Sequence, residues 1–504
     1  MSTIVLTADR SLSSEYNKNE FLGFTATAPT IIPKFIYERI LCPPVPRDNT
    51  KKDFKRAKFA HCGTRKIEAA LLKHGFSEKD VVVCRPQDVK KVITKKTKIV
   101  GITANDPMGL GPASSTFSDM TGVETYSHRY FRELVHNPVI RTRGDIKVFA
   151  GGPGAWQLAD ERIRMRMGID CVVQGEGEIT VPQLFQDALD GKDIPGFVQG
   201  EVVPLDQIPT IKNPTINGLV EIARGCGRGC KFCNPTMLKF RCQSVENIVK
   251  EARINVAAGN GVLLHAEDVI RYKAKGPIPD EKEVIKLFTE IRKITPIIGI
   301  SHFAMASALA KPKLIEDLSH ILELSKKKWI SGQTGIETGS PELACKVLMG
   351  KTAPFKTEKW PELVKQAHQL LCDNHWVPCN TLIFGLPGEN RDDTRKTREL
   401  VYDLSKYKSL IVPLFFVPIG TMNKERFFRA KHMNSEHWKL FAATWDHNFK
   451  WFPELATEHF AMTNVGKFKG IAIKGMIKFA KRQMQPFLRI MREGRSPLVP
   501  ENYL

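Results

Sequence analysis

GCGRGCKFCNP, residues 225–235, places Cys226, Cys230 and Cys233 at the spacing CxxxCxxC, directly after the apolar stretch 218–223. Three thiolates can hold three irons of a [4Fe–4S] cluster, where a closed cluster takes four cysteines, so one iron is left with an open position. Gly225, Gly227 and Gly229 allow a short loop to fold back until three sulfurs converge. A structural zinc site favours four ligands arranged as CxxC pairs, and no second pair follows at that spacing. Unrelated thiols are the remaining reading of the same residues.

An aromatic residue, Phe232, precedes the last cysteine, and with it the motif resembles the signature of radical S-adenosylmethionine (SAM) enzymes. The resemblance implies that SAM chelates the open iron through its amino and carboxylate groups. An electron from the cluster would then cleave it to methionine and a 5′-deoxyadenosyl radical. Later segments extend the likeness. His265-Ala266-Glu267-Asp268 stands where the family carries acidic groups that hold the SAM amino group, here Glu267 or Asp268, with an ordinary surface acid as the alternative. TGIETGS, residues 334–340, is similar to a family segment in which Glu337 would approach the SAM ribose or methionine end; Ser340 N-caps the next helix in any case. IFGLPGE, residues 383–389, resembles the adenine-contacting strand and turn, with Ile383 and Gly385 beside the base. PIGT, residues 418–421, departs from the family's Pro-Gly-Thr and is read as structural only.

The chain has 504 residues, 42% of them hydrophobic, enough for two to four domains. No run approaches the roughly 20 apolar residues of a membrane span, and MSTIVLTADR lacks the basic-then-apolar order of a signal peptide. With 11 cysteines and no secretory context, the expectation is a cytoplasmic protein whose thiols bind metal or stay free. The net charge of +21 implies an acidic partner, whether nucleic acid, an anionic membrane surface or a protein, or else merely solvated basic faces. Basic residues cluster at 51–61, 90–98 and 467–495.

Residues 1–58, with the Pro-rich patch CPPVPRDN and no long period, read as an extension that packs irregularly. From residue 59 to 200 the pattern becomes helix (64–74) and short buried strands (80–84, 98–103, 145–150, 168–173). This predicts an open, parallel, Rossmann-like α/β sheet with its ligand beyond the carboxyl ends of the strands. The turns GGPGAW and QGEGE resemble those of cobalamin-binding domains, where Gly151, Gly152, Gly154, Gln174, Gly175 and Glu176 would admit the corrin edge and nucleotide tail. The loop 105–116, with Asn105, Asp106, Ser114, Ser115 and Thr116, would lie under the corrin face. The pattern DxHxxG is absent. Cobalamin would therefore bind base-off without a histidine ligand, with Asp106 or another residue of this loop facing cobalt directly or through water. A related sheet without the cofactor is the alternative.

Residues 215–425 carry a second, more regular series, with strands at 218–224, 261–266, 298–304, 329–337, 378–386 and 410–418 separated by helices. Six such units match the partial (β/α)6 barrel of the radical SAM family, since parallel strands need helical crossovers. Residues 426–504 read as mainly helical and basic. In them Phe468, Ile471, Met476, Phe479, Met484 and Phe487 alternate with Lys474, Lys478, Lys481 and Arg482 at helical spacing, as a docking helix or a surface for a membrane or acidic partner. Cys242, Cys345, Cys372 and Cys379 read as small hydrophobes. His61, His265 and His302 read as structural histidines or proton donors, and no residue is assigned as catalytic.

A cobalamin-type sheet ahead of a radical SAM barrel is similar to the cobalamin-dependent (class B) radical SAM methyltransferases. The resemblance implies three cofactors, a [4Fe–4S] cluster, SAM and cobalamin, and methylation of an unactivated sp3 carbon. TADRSLSSEY, FLGFTATAP and NDPMGLGPASSTF resemble archaeal members that modify methyl-coenzyme M reductase, first among them those that C-methylate a glutamine. The implied partners are the alpha subunit of that reductase and an external electron donor, with no nucleic acid. The alternatives are a cobalamin-free radical SAM enzyme coupling lipid carbons, a radical enzyme modifying RNA, and a non-catalytic iron–sulfur protein.

Overall fold

The computed structural model describes residues 2–16, 21–49, 56–234, 238–463 and 467–498. The chain forms two compact units, Met1–Val220 with Glu246–Asn260, and Glu221–Val245 with Gly261–Leu504.

The first unit is built on six parallel strands: β1 (Ile4–Ala8), β2 (Val81–Val83), β3 (Ile99–Thr103), β4 (Lys147–Gly151), β5 (Cys171–Gln174) and β6 (Phe197–Gln199). Their order is β2-β1-β3-β4-β5-β6. Strands buried on both faces read as unbroken apolar runs, and IVLTA of β1 is buried at every position. Ile4 pairs with both Val81 and Ile99, so β1 is an inner strand. The expectation that residues 1–58 form an irregular extension is therefore corrected. Alternate residues feed two cores, Val5, Val100, Val148 and Val172 on one face, Ile4, Ile99, Phe149 and Val173 on the other.

Helix α1 (Cys62–Lys73) starts at His61, whose ring accepts the Gly63 amide at 3.2 Å, a capping role for that histidine. After β3 comes α2 (Pro112–Thr121). A later helix, α3 (Val245–Ala257), joins this unit through buried polar bonds. Lys66 Nζ donates to Glu251 Oε1 at 2.5 Å, and Asn255 Oδ1 accepts from the Thr215 amide and hydroxyl.

In the second unit the expected strand 218–224 is split. Leu219–Glu221 ends at Ile222, and β7 (Ala223–Arg224) turns to pair antiparallel with β8 (Arg241–Cys242), clasping the cysteine loop at its base. Parallel strands follow: β9 (Val262–His265), β10 (Ile298–Ile300), β11 (Ile330–Glu337), β12 (Trp376–Phe384) and β13 (Leu410–Phe415). β9 pairs with β10, and β11, β12 and β13 pair in order. A single parallel bridge, His302 to Gln333, joins the two groups. Ile222 donates to the His265 carbonyl on the other side. α4 (Trp360–Asp373) precedes β12.

α5 (Ser435–Thr463) runs beside β13, where Asn448 accepts the Ile411 amide (2.8 Å) and donates to the Ile411 carbonyl (2.7 Å). An edge strand is thereby given partners. α6 (Lys467–Arg492) is anchored at its end by buried Leu488 and Met491 and by the Arg492–Asp446 pair. Its residues Lys474, Lys478, Phe479, Lys481, Arg482 and Phe487 are exposed, whereas Met476 and Met484 are partly buried; the Phe468 side chain lies outside the described residues. No described helix is long and apolar enough to cross a membrane.

Candidate functional site

Gly225, Gly227 and Gly229 all adopt positive φ, at 73°, 69° and 80°, which glycine reaches at no steric cost. A Cβ at Gly225 would stand 2.5 Å from the Lys239 carbonyl oxygen. Between the first two cysteines, Arg228 is buried. Its Nη2 donates to Asp268 Oδ2 at 2.9 Å and to Ser307 Oγ at 2.6 Å, and its Nη1 to the Gly350 and Lys351 carbonyls. Arg228 carried no signal in the sequence, yet it pins the loop. On the far side, the PIGT turn does the same. The Gly420 amide donates to Asn234 Oδ1 at 2.8 Å, and the Thr421 amide and hydroxyl both donate to the Lys231 carbonyl.

Of the three loop cysteines, Cys230 is buried and Cys226 and Cys233 are partly so. Burial pushes the Cys230 thiol up, and the Lys351 ammonium opposes this. Lys351 faces Cys233 as well. Among the described residues no three His, Cys, Asp or Glu side chains are drawn together as a metal-ligand set, and Cys230 Sγ instead donates to the Leu348 carbonyl at 3.4 Å. Soft thiol donors on one glycine-shaped loop with an ammonium beside them are the chemistry that fits an iron–sulfur cluster.

The strand ends separate the candidates for the SAM amino group. Asp268 is engaged on both oxygens: Oδ1 accepts the Ala304 amide at 3.1 Å, and Oδ2 accepts from Arg228 and from Ser307 Oγ (2.7 Å). With three of its roughly four acceptor sites engaged, Asp268 anchors Arg228 and is less free for a ligand than Glu267. Glu267 is partly exposed and makes no hydrogen bond among the described residues. Burial pushes its carboxyl up, opposed by His265 and Lys351.

Glu337 sits at the bulge of β11 with φ 63°, an uncommon conformation for a residue with a side chain. Its Oε1 pairs with Lys351 Nζ at 2.6 Å and its Oε2 accepts from Thr381 Oγ1 at 3.0 Å. Ile383 shares a strand face with Thr381. At Gly385 the Phe428 ring occupies the place a Cβ would take, so only glycine fits there. Phe232 is partly exposed, and Ser340 caps its helix by accepting the Leu343 amide.

In the first unit the strand order reverses between β1 and β3, the point at which doubly wound sheets bind ligands. Asp9 follows β1 and Asp106 follows β3. Asp106 Oδ1 accepts from the Gly111 amide (2.8 Å) and Gln157 Nε2 (2.7 Å), while Oδ2 is buried and unpartnered. Burial pushes the Asp9 carboxyl up to about 6, against the Ser11 hydrogen bonds, and the Asp106 charge adds to the rise. Both Asp9 and Gln157 were missed in the sequence, Asp9 because β1 was.

Ser114 and Thr116 are buried and bonded within the chain, to Ser127 and the Pro112 carbonyl, whereas Ser115 Oγ is buried without a partner. Asn105 is exposed. The glycines are filled from inside: a Cβ at Gly152 would meet the Ala104 carbonyl at 2.8 Å, one at Gly151 the Val173 carbonyl at 3.3 Å, one at Gly154 the Asn105 backbone, and one at Gly175 Gln199 Nε2 at 2.8 Å. Their smallness lets the turns close against their own backbone. Gln174 accepts the Gly200 amide through its carbonyl, and Glu176 accepts the Val203 amide. The atoms left for a ligand are Asp106 Oδ2, Ser115 Oγ and exposed Asn105, and two orphaned polar atoms in one switch-point loop fit a bound polar cofactor.

Residues 220–401 match the family model described as Radical SAM superfamily. An uncharacterized protein of Methanocaldococcus jannaschii is 23% identical over 411 residues, 68% of this chain and 76% of that one. The tRNA-2-methylthio-N(6)-dimethylallyladenosine synthase of Orientia tsutsugamushi is 24% identical over 206 residues, 40% of this chain and 43% of its own. Among solved structures, the radical S-adenosylmethionine methyltransferase TsrM of Kitasatospora setae, with cobalamin and a [4Fe-4S] cluster bound, superposes with a TM-score of 0.55. Identity is 16%, over 84% of this chain and 77% of TsrM, a likeness of fold.

Proposed function

We propose, from the premise of a radical SAM domain at residues 220–401, that this protein is a cobalamin-dependent radical SAM C-methyltransferase acting on an unactivated sp3 carbon. Its substrate is a glutamine in the alpha subunit of methyl-coenzyme M reductase. The observation that carries the reading is the union, in one chain, of a glycine-shaped three-cysteine loop and a parallel sheet with a buried, unpartnered carboxylate oxygen at its switch point. The fold shared with TsrM supports it, and the net charge of +21 suits an acidic protein partner.

In this reading Cys226, Cys230 and Cys233 hold the cluster, and Glu267 accepts the SAM amino group. The Glu337–Lys351 pair meets the ribose and methionine end, with Phe232 and Ile383 as apolar walls. Asp106, Ser115 and Asn105 face cobalamin. When bound, the cluster supplies the electron that cleaves SAM, and cobalamin supplies a methyl carrier for a carbon that has no lone pair. The side chains bind, orient and shield; none acts as a nucleophile.

Anaerobic purification with cobalamin supplied, followed by quantification of iron and corrinoid, tests the reading. Stoichiometric cluster with stoichiometric corrinoid is expected, and cluster without corrinoid would reject it. For the substrate, deletion in the host should remove one methyl mass from the reductase peptide that carries the glutamine, and unchanged reductase peptides would reject that assignment.

A further inference from the structure

The strands of the second unit have one sealed face and one half-open face. On β9, Val262 and Leu264 are buried while Leu263 and His265 are partly exposed; on β11 the partly exposed positions are Gln333 and Gly335, and on β12 Thr381 and Ile383. The half-open face runs through His265, His302, Gln333 and Thr381, and the two imidazole rings stand edge-on with centroids 5.8 Å apart. His265 Nδ1 is bonded to Ser301 Oγ at 2.9 Å. His302 Nδ1 is buried without a hydrogen-bond partner, and the ring faces the Gln333 side chain. Of the SAM-facing residues, Glu267 faces His265.

Burial pushes both imidazoles down, His302 to about 4, so both are neutral near pH 7. A neutral imidazole offers one N–H and one lone pair, and the His302 ring, beside the Gln333 carboxamide, presents a buried vacancy at Nδ1. Glu267 and Glu221 face His265, but no carboxylate faces His302 among the described residues. An ammonium set against His302 would be buried without a counter-charge, and a carboxylate would find no cation there. An uncharged amide needs neither, and its N–H and C=O complement a row of groups that each both give and take hydrogen bonds.

Resting on the methyltransferase reading above, we infer that His265, His302 and Gln333 form the substrate-binding row that receives an uncharged amide of the substrate and rejects the corresponding acid. The test uses the full-length, anaerobically reconstituted protein with SAM and two labelled peptides, identical except for glutamine or glutamate at the centre, followed by fluorescence anisotropy and then mass spectrometry. Wild type should bind the glutamine peptide at least about tenfold more tightly, because a site built to hydrogen-bond a group rejects an analogue that leaves it unpaired. His302→Leu should reduce that ratio to within about threefold, while His302→Asn, which keeps an acceptor near Nδ1, should retain most of it. Should His302→Leu fail to load iron, Gln333→Met provides the same comparison.

Equal binding of both peptides by wild type, or an undiminished ratio in His302→Leu or Gln333→Met, overturns the inference. Selective binding without gain of a methyl mass would instead leave amide recognition standing and reject the methyltransferase reading. A gain of mass without selectivity does the reverse.

Discussion

The loop that carries the cysteines and the loop that follows β3 both present polar groups at strand ends, and they are held by different forces. Charge pins the first: Arg228 is buried against Asp268, and its two terminal nitrogens also donate to Ser307 and to the Gly350, Lys351 and Ala353 carbonyls. Neutral contacts pin the second, through the Gln157 amide and glycines that pack on backbone, and they leave Asp106 Oδ2 and Ser115 Oγ without partners. A buried polar atom left unpaired is a place for a ligand or water to bind, and Asp106 Oδ2 and Ser115 Oγ are two such atoms at the switch point.

The largest effects should split along this line. Cys230→Ala should abolish iron loading and the cluster's visible absorbance while leaving corrinoid binding intact. Asp106→Ala should do the opposite, keeping iron and losing corrinoid. If either substitution removed both cofactors, the two loops would not be separable sites.

Asp268 and Glu267 allow a second contrast within the cysteine-bearing unit. Asp268→Ala leaves Arg228 buried and uncompensated and should cost about 3–5 kcal/mol in denaturant unfolding, with iron loading falling alongside. Glu267→Gln breaks no hydrogen bond and should change stability by no more than about 0.5 kcal/mol, yet raise the KM for SAM roughly tenfold, about the 1.4 kcal/mol of a hydrogen bond to a charged group. An Asp268→Asn variant that stayed stable but bound SAM weakly would return Asp268 to the ligand.

The same contrast explains what the sequence could reveal. Apolar runs made β2 to β5 and the barrel strands legible, because a parallel strand buried on both faces has little else to show. IVLTA of β1 had that signature too, but it stood before a stretch with no period and was read with it. The cysteine spacing was legible since it is local. The engagement of Asp268 was not legible because spacing cannot distinguish a carboxylate already bonded from a free one; two of its partners lie 40 and 39 residues away. The neighbour of Gly385 was not legible for the same reason, since the ring beside it comes from Phe428.

Acid should separate the units further. His368 on α4 is held neutral, donating to the Val364 carbonyl and accepting from Asn380, and burial pushes it to about 4. Its stabilising contribution is complete above its ordinary value of 6.5 and is lost as pH falls toward 4, about 3 kcal/mol in all. Asp9 runs the other way. With its carboxyl raised to about 6, its contribution is complete below 3.8 and lost as pH rises through 6, again about 3 kcal/mol. Calorimetry between these pH values should therefore show the His368 unit losing stability on acidification and the Asp9 unit gaining it. Asp9→Asn should flatten the second trend and His368→Gln the first; parallel shifts of both transitions would contradict the assignment.

Ser115 gives the smallest and most pointed test. A hydroxyl buried in the first turn of α2 with no partner costs its desolvation and gains nothing from the fold, so Ser115→Ala should stabilise the protein by about 1 kcal/mol. If the orphaned oxygen exists to meet a ligand, the same substitution should weaken corrinoid binding about three- to tenfold, the value of roughly one neutral hydrogen bond. The two effects have opposite signs, and that opposition carries the information. A packing residue would lose stability and affinity together; a residue irrelevant to the cofactor would gain stability with affinity unchanged. Only a ligand-facing hydroxyl, held unsatisfied in the free protein, makes the fold stronger and the cofactor weaker when it is removed.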